Sequence, residues 1–165
     1  MAHQELLTAW LKDAHSMENA LIPILENHAK DAEGHPQMQQ RIQQHIETTR
    51  RHADMVEGCL QRYGEEPSAV KTAFGSLFGN VQSIATGPFE DELVKNGISD
   101  YAAEHFEIAS YRGLIAAAEE VGDQETVRVC QQILQDEMAM ASWLEQHLPG
   151  AVKEAMRKKA SEHTS

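Results

Sequence analysis

The sequence predicts an all-α fold: an antiparallel four-helix bundle with a long, partly helical crossover between its second and third helices. Three observations predict it. Ala, Leu, Gln, Glu and Met are plentiful, Val and Ile are sparse and only 5% of residues are aromatic, a balance that favours helix over sheet. Four long stretches carry apolar residues at alternating three- and four-residue spacing, the period of one helix face. The connections run short, long, short, which ties two antiparallel hairpins together by one crossover. At 165 residues the chain reads as one domain with room for a sizeable core.

The first helix is expected over about residues 4–29, with the stripe Leu7, Leu11, Ala14, Glu18, Leu21, Leu25 and His28; Gly34 and Pro36 end it. The second spans about 37–63, with Ile42, Ile46, Thr49, Ala53, Val56, Leu60 and Tyr63 in its stripe, and stops at Gly64. Residues 65–97 form the crossover. A short helix over 68–84 is weakened by Gly75 and Gly79, and a helical piece over 89–96 is ended by Gly97. The third helix, 99–121, has Tyr101, Glu104, Ile108, Tyr111, Ile115 and Ala118 on one stripe, with Glu107 at its edge. Gly122 and Asp123 make a tight turn into the fourth helix, 124–148, whose stripe is Val127, Cys130, Leu134, Glu137, Ala141, Leu144 and Leu148. Residues 151–165 read as a polar tail, frayed or helical on the surface.

Three of these apolar seams are interrupted by a carboxylate: Glu18, Glu104 and Glu137. A carboxylate in a core seam loses its water and needs a proton, a base or a metal ion in exchange. Depth follows from arithmetic. With turns near residues 34–35 and 122–123, Glu18 is level with His52, and Glu107 with Glu137, to within a turn of roughly 5.4 Å. Each hairpin therefore brings candidate ligands to one level. Clustered Glu with His binds iron or manganese in such bundles. Tyr111, a turn beyond Glu107, could donate a hydrogen bond to a ligand carboxylate. His45 reads as a surface or core-edge residue, His105 as a bystander, and Glu47 as solvated.

The net charge of −12 argues against nucleic acid as a partner and suits a protein that attracts cations. Cys59 and Cys130 lack metal-ligand spacing and read as reduced thiols of a cytoplasmic protein. The opening residues do not resemble a signal peptide, and no stretch approaches a membrane span.

Four segments carry a resemblance: WLKDAHSMENA (residues 10–20), QQHIETTRRH (43–52), GISDYAAEHFEIASY (97–111) and ILQDEMAMASWL (133–144). They are similar to the YciE/YciF branch of the ferritin-like superfamily, nearer its YciE side, and the similarity runs through nearly the whole chain. The segment from Glu104 to Tyr111 is its most specific part. The resemblance implies a ferritin-like fold, an association with bacterial stress and metal-binding carboxylates at Glu18, Glu104, Glu107 and Glu137. This chain departs from the family at Thr48, where relatives carry a Glu; His52 is the candidate substitute. Asp136 matches an acidic family position but should point off the seam.

The leading expectation is therefore a ferritin-like bundle whose metal ligands are Glu18, Glu104, Glu107, Glu137 and His52. They would hold iron, about two ions per chain or fewer, with manganese or zinc as alternatives. Its chemistry would be ferroxidase or peroxide chemistry at reduced iron. The rival is a metal-free structural or interaction protein of the stress response, and the Thr48 departure supports it. A homodimer follows from the resemblance and from the frequency of symmetric dimers.

Overall fold

The computed structural model describes residues 2–68 and 91–162. Their order is α1 (Ala2–Asp31), α2 (Pro36–Arg62), α3 (Glu92–Glu120) and α4 (Gln124–Glu162). No strand occurs among the described residues. The fold is an all-α, ferritin-like four-helix bundle. Helix α1 packs on α2 and α3, and α4 packs on α3 and α2, which leaves α1/α4 and α2/α3 on the diagonals. Gly34 and Gly122 supply the positive φ, 94° and 74°, that turns each hairpin.

Two sets of contacts fix the polarity of the hairpins. At one end Tyr63 Oη donates to Asp123 Oδ2 at 2.6 Å, and Arg62 to Oδ1 at 2.5 Å. Asp123 also caps α4, accepting from the backbone N–H of Thr126 at 3.1 Å and from its hydroxyl at 2.6 Å. At the other end Asn96 Nδ2 donates to Asp31 Oδ2 at 2.9 Å. The chain thus leaves α2 at one end of the bundle and starts α3 at the other, as a crossover requires. The short helix expected over 68–84 falls largely on residues 69–90, outside the described residues, whereas the piece expected over 89–96 is, from Glu92 on, the first part of α3.

Two expected boundaries move outward. Helix α3 begins at Glu92, not Ser99, and runs through Gly97. Gly97 is there for packing: a Cβ on it would meet Leu148 Cδ1 at 3.3 Å, so the missing side chain lets α4 lie close. Helix α4 continues past Pro149 to Glu162. Proline removes one intrahelical hydrogen bond, but the segment beyond has a surface to lie on. Ala151, Glu154 and Ala155 line a cleft with Gly34 and His35, and His35 Nδ1 stands 3.6 Å from Glu154 Oε1. The buried face of α3 is also turned slightly from the expected stripe. Asp100, Ala103 and Leu114 are buried, and Tyr101 and Ile115 are only partly so.

Candidate metal centre

The four helices bring Glu18, His45, His52, Glu104, Glu107 and Glu137 together at mid-bundle, none more than 3% exposed. Two groups form. Ligand atoms of His45, Glu104, Glu107 and Glu137 all lie within 4.8 Å of one another, as do those of Glu18, His52 and Glu137. Glu137 is common to both. The diagonals meet here: His45 on α2 puts Nε2 2.8 Å from Glu104 Oε1 on α3, and Glu18 on α1 shares His52 with Glu137 on α4. His52 Nδ1 is 3.7 Å from Glu18 Oε1 and 2.7 Å from Glu137 Oε1. That second approach is off the line of the ring N–H, so neither atom is hydrogen-bonded.

Neighbours hold the centre from outside. Tyr111, fully buried, donates its hydroxyl hydrogen bond to Glu18 Oε1. Asp136 points off the seam, yet its Oδ2 lies 3.0 Å from His52 Nε2 and accepts from Arg51 at 2.9 Å. The outer ring nitrogen of His52 is thereby committed to a carboxylate, and Nδ1 faces inward. Glu47 is solvent-exposed, and His105 is exposed against the edge of Tyr101.

Burial sets the charge state of the protein without metal. It pushes the Glu18 carboxyl up to about 8, with Glu137 adding to the rise against His52 and Tyr111. Burial and then Glu107 and Glu137 raise Glu104, and burial and then Glu137 and Glu18 raise Glu107. Burial would lower His52, but the adjoining Glu137 outweighs it and the ring rises to about 9. Burial would likewise raise Glu137, but the adjoining His52, Glu104 and His45 hold it below the usual carboxylate range. The negative charge collects on Glu137 and the positive charge on His52, while the other three carboxyls favour their neutral form.

A metal fits this donor set. Glu18 Oε2, Glu104 Oε2, both oxygens of Glu107, both of Glu137 and His52 Nδ1 are buried with no hydrogen-bond partner. Each such atom costs about 1–3 kcal/mol, and a cation at their centre satisfies them together. Ferritin-like di-metal bundles draw a Glu from each of two helices and a Glu-x-x-His pair from each of the other two. Here the pairs are broken, since Thr49 precedes His52 by three and Met140 follows Glu137 by three. His45, a turn from Thr49 on α2, and Glu104, a turn from Glu107 on α3, supply donors in their place.

His45 is the residue the sequence reading misplaced: it is 3% exposed at the core. Its seven-residue spacing from His52, two helical turns, was the signal that it shares His52's inward direction. Asp100, buried at 3%, was not singled out at all. Its signal was the four-residue spacing to Glu104.

Comparison with known proteins agrees with this architecture. A protein of Xanthomonas campestris pv. campestris is 32% identical over 97% of this chain and 99% of its own, with a TM-score of 0.83. The Escherichia coli stress protein YciF is 18% identical, with 92% and 97% covered and a TM-score of 0.81. A Desulfovibrio desulfuricans bacterioferritin, solved with its diiron site in different catalytic states, is 18% identical, with 94% and 88% covered and a TM-score of 0.76. At that identity the last two establish shared fold alone. The family model of a domain of unknown function, DUF892, matches residues 2–157. The chain belongs to the DUF892 family, and it shares its ferritin-like fold with YciF.

Proposed function

We propose that this protein is a stress-response member of its family that binds transition-metal ions, iron foremost, at the buried carboxylate–histidine centre. The observation that carries this reading is the convergence of unpartnered carboxylate oxygens and a ring nitrogen on one enclosed point. Glu104, Glu107 and His45 would hold one ion, Glu18 and His52 a second, and Glu137 would serve both. The donor set is mostly carboxylate with two imidazoles, which suits iron or manganese better than soft-ligand metals. Bound reduced iron would supply electrons to oxygen or peroxide, the ferroxidase or peroxide-scavenging chemistry of such bundles.

The chain's own residues prepare the site. Tyr111 holds Glu18 by its hydroxyl, and Asp136 fixes the His52 ring. The ligand side chains are closed off from bulk water, which limits side reactions. Replacing Asp136 with Asn should weaken metal affinity by about 10–100-fold without loss of helicity. Competition against a chelator measures it, and unchanged affinity would detach Asp136 from the centre.

The direct test is elemental mass spectrometry of protein from iron-supplemented cells, beside Glu104→Ala. About two irons per chain, reduced in the variant, is the expected result. A second reading, a metal-free protein that acts through its surface, draws on the neutral carboxyls and the broken Glu-x-x-His pairs. Absence of metal, with no melting shift on adding iron, manganese or zinc, would establish that one. We further propose a cytoplasmic homodimer. Its two cysteines are free and buried, which suits a reducing compartment. None of the described helices is long and apolar enough to cross a membrane. Sedimentation at micromolar concentration tests the dimer.

A further inference from the structure

Helix α3 buries polar groups along one continuous face. Asn96, Asp100, Glu104 and Glu107 succeed one another at spacings of four, four and three, all 4% exposed or less. From the start of α3 to mid-bundle they span about 16 Å. A core-facing stripe of this kind is ordinarily apolar. Its first two members are bonded across to α1: Asn96 Nδ2 to Asp31 Oδ2 at 2.9 Å, and Asp100 Oδ1 to His28 Nδ1 at 2.7 Å. The third, Glu104, meets His45 in the centre. Two atoms on this path remain buried and unpartnered, Asn96 Oδ1 and His28 Nε2. A pairing that served packing alone would not strand them, since each costs about 1–3 kcal/mol.

The outer end of the stripe opens at a cleft of about 710 Å³. Among the described residues Asp31, Glu33, Asp91, Glu92 and Glu154 line it, against Lys158. Asp91 is paired with Lys95 at 2.8 Å, but the acidic excess remains. Among the described residues, two lateral approaches to the centre suit a cation less. The groove between α1 and α3 is walled mainly by apolar groups, among them Ala14, Met17 and Leu114. The α2/α4 side presents the Arg51 guanidinium over Asp136.

We propose that divalent cations reach the centre lengthwise, gathered at this acidic cleft and passed by Asn96–Asp31 and His28–Asp100 to His45–Glu104. The route rests on the metal-binding reading above. It makes the polar end of α3 a kinetic device: polar groups recur at each helical turn, so an ion shed of water is not left in purely apolar surroundings along the path.

Stopped-flow mixing of metal-free protein with Co²⁺, followed by the absorption of the bound ion, tests it. Two variants keep the fold: Asp100→Asn, which still offers His28 an acceptor, and the rim pair Asp31→Asn with Glu92→Gln. Both should load more slowly, the rim pair by about tenfold at low salt with a weaker dependence on ionic strength. The rim pair should reach the wild-type end point. Wild-type loading rates in both variants would overturn the route and leave the centre standing. A wild type that gives no end-point absorption would overturn the centre, and the route with it, so the two failures are distinct.

Discussion

Replacing Glu137 with Ala is expected to abolish metal binding at both positions while leaving a helical protein. Glu137 is the one residue common to both ligand groups, and both its oxygens are buried without hydrogen-bond partners. Its carboxylate also carries the negative charge of the cluster, because His52 and Glu104 hold it ionised while its neighbours are pushed toward neutrality. Truncation therefore removes the best anion from each position at once. Glu107→Ala should do less, since Glu107 belongs to one group only. The helices should survive in both variants, because the core of Leu7, Leu11, Val56, Leu60, Cys130 and Ile133 is distributed along the bundle. Elemental analysis with far-ultraviolet circular dichroism reads both quantities. Undiminished iron in Glu137→Ala would refute the site assignment.

The second large effect is a pH dependence that reverses when metal binds. Glu18 rises to about 8 from an ordinary 4.5, and His52 to about 9 from 6.5. In both cases the native state holds a proton that the unfolded chain releases. The resulting stability is complete below the unfolded pKa and is lost as pH climbs through the folded one. The windows are 4.5 to about 8 for Glu18 and 6.5 to about 9 for His52. Glu104 and Glu107 act in the same direction, and Glu137, held low, opposes them. For Glu18 alone the shift corresponds to several kcal/mol, on the order of 5. Metal-free protein should thus melt at a markedly lower temperature near pH 9 than near pH 5, a comparison about as wide as the two windows. Metal competes with those same protons, so its binding strengthens as pH rises. Loaded protein should hold its melting temperature across the range. Scanning calorimetry of both forms decides it, and parallel curves would show that the carboxyls do not face a metal.

Much of this follows from one-dimensional pattern. Helical periodicity and connection lengths imply the bundle and its crossover, because a helix with an apolar stripe has few ways to bury it. Glu18, Glu104 and Glu137 stood out because a carboxylate is conspicuous in an apolar seam. Equal depth paired Glu18 with His52 because two antiparallel helices joined by a tight turn keep register from the turn onward.

The limits of that reading are equally physical. Spacing along one helix does not say which residue meets a diagonal helix across the core, so the contact of His45 with Glu104 emerged only in three dimensions. Gly97 and Pro149 signal helix ends locally, and tertiary packing overrides both. Leu148 needs the space that Gly97 leaves, and the turn between α1 and α2 gives the extension of α4 a surface. The pairing of Asp100 with His28 was invisible for the same reason: the two lie 72 positions apart, and nothing on either helix alone marks the pair. The sequence by itself determined four helices, their order and the carboxylates they must bury. Which donors share a point, and which polar face leads to it, was decided by the tertiary structure, because both depend on rotations between helices that no single periodicity contains.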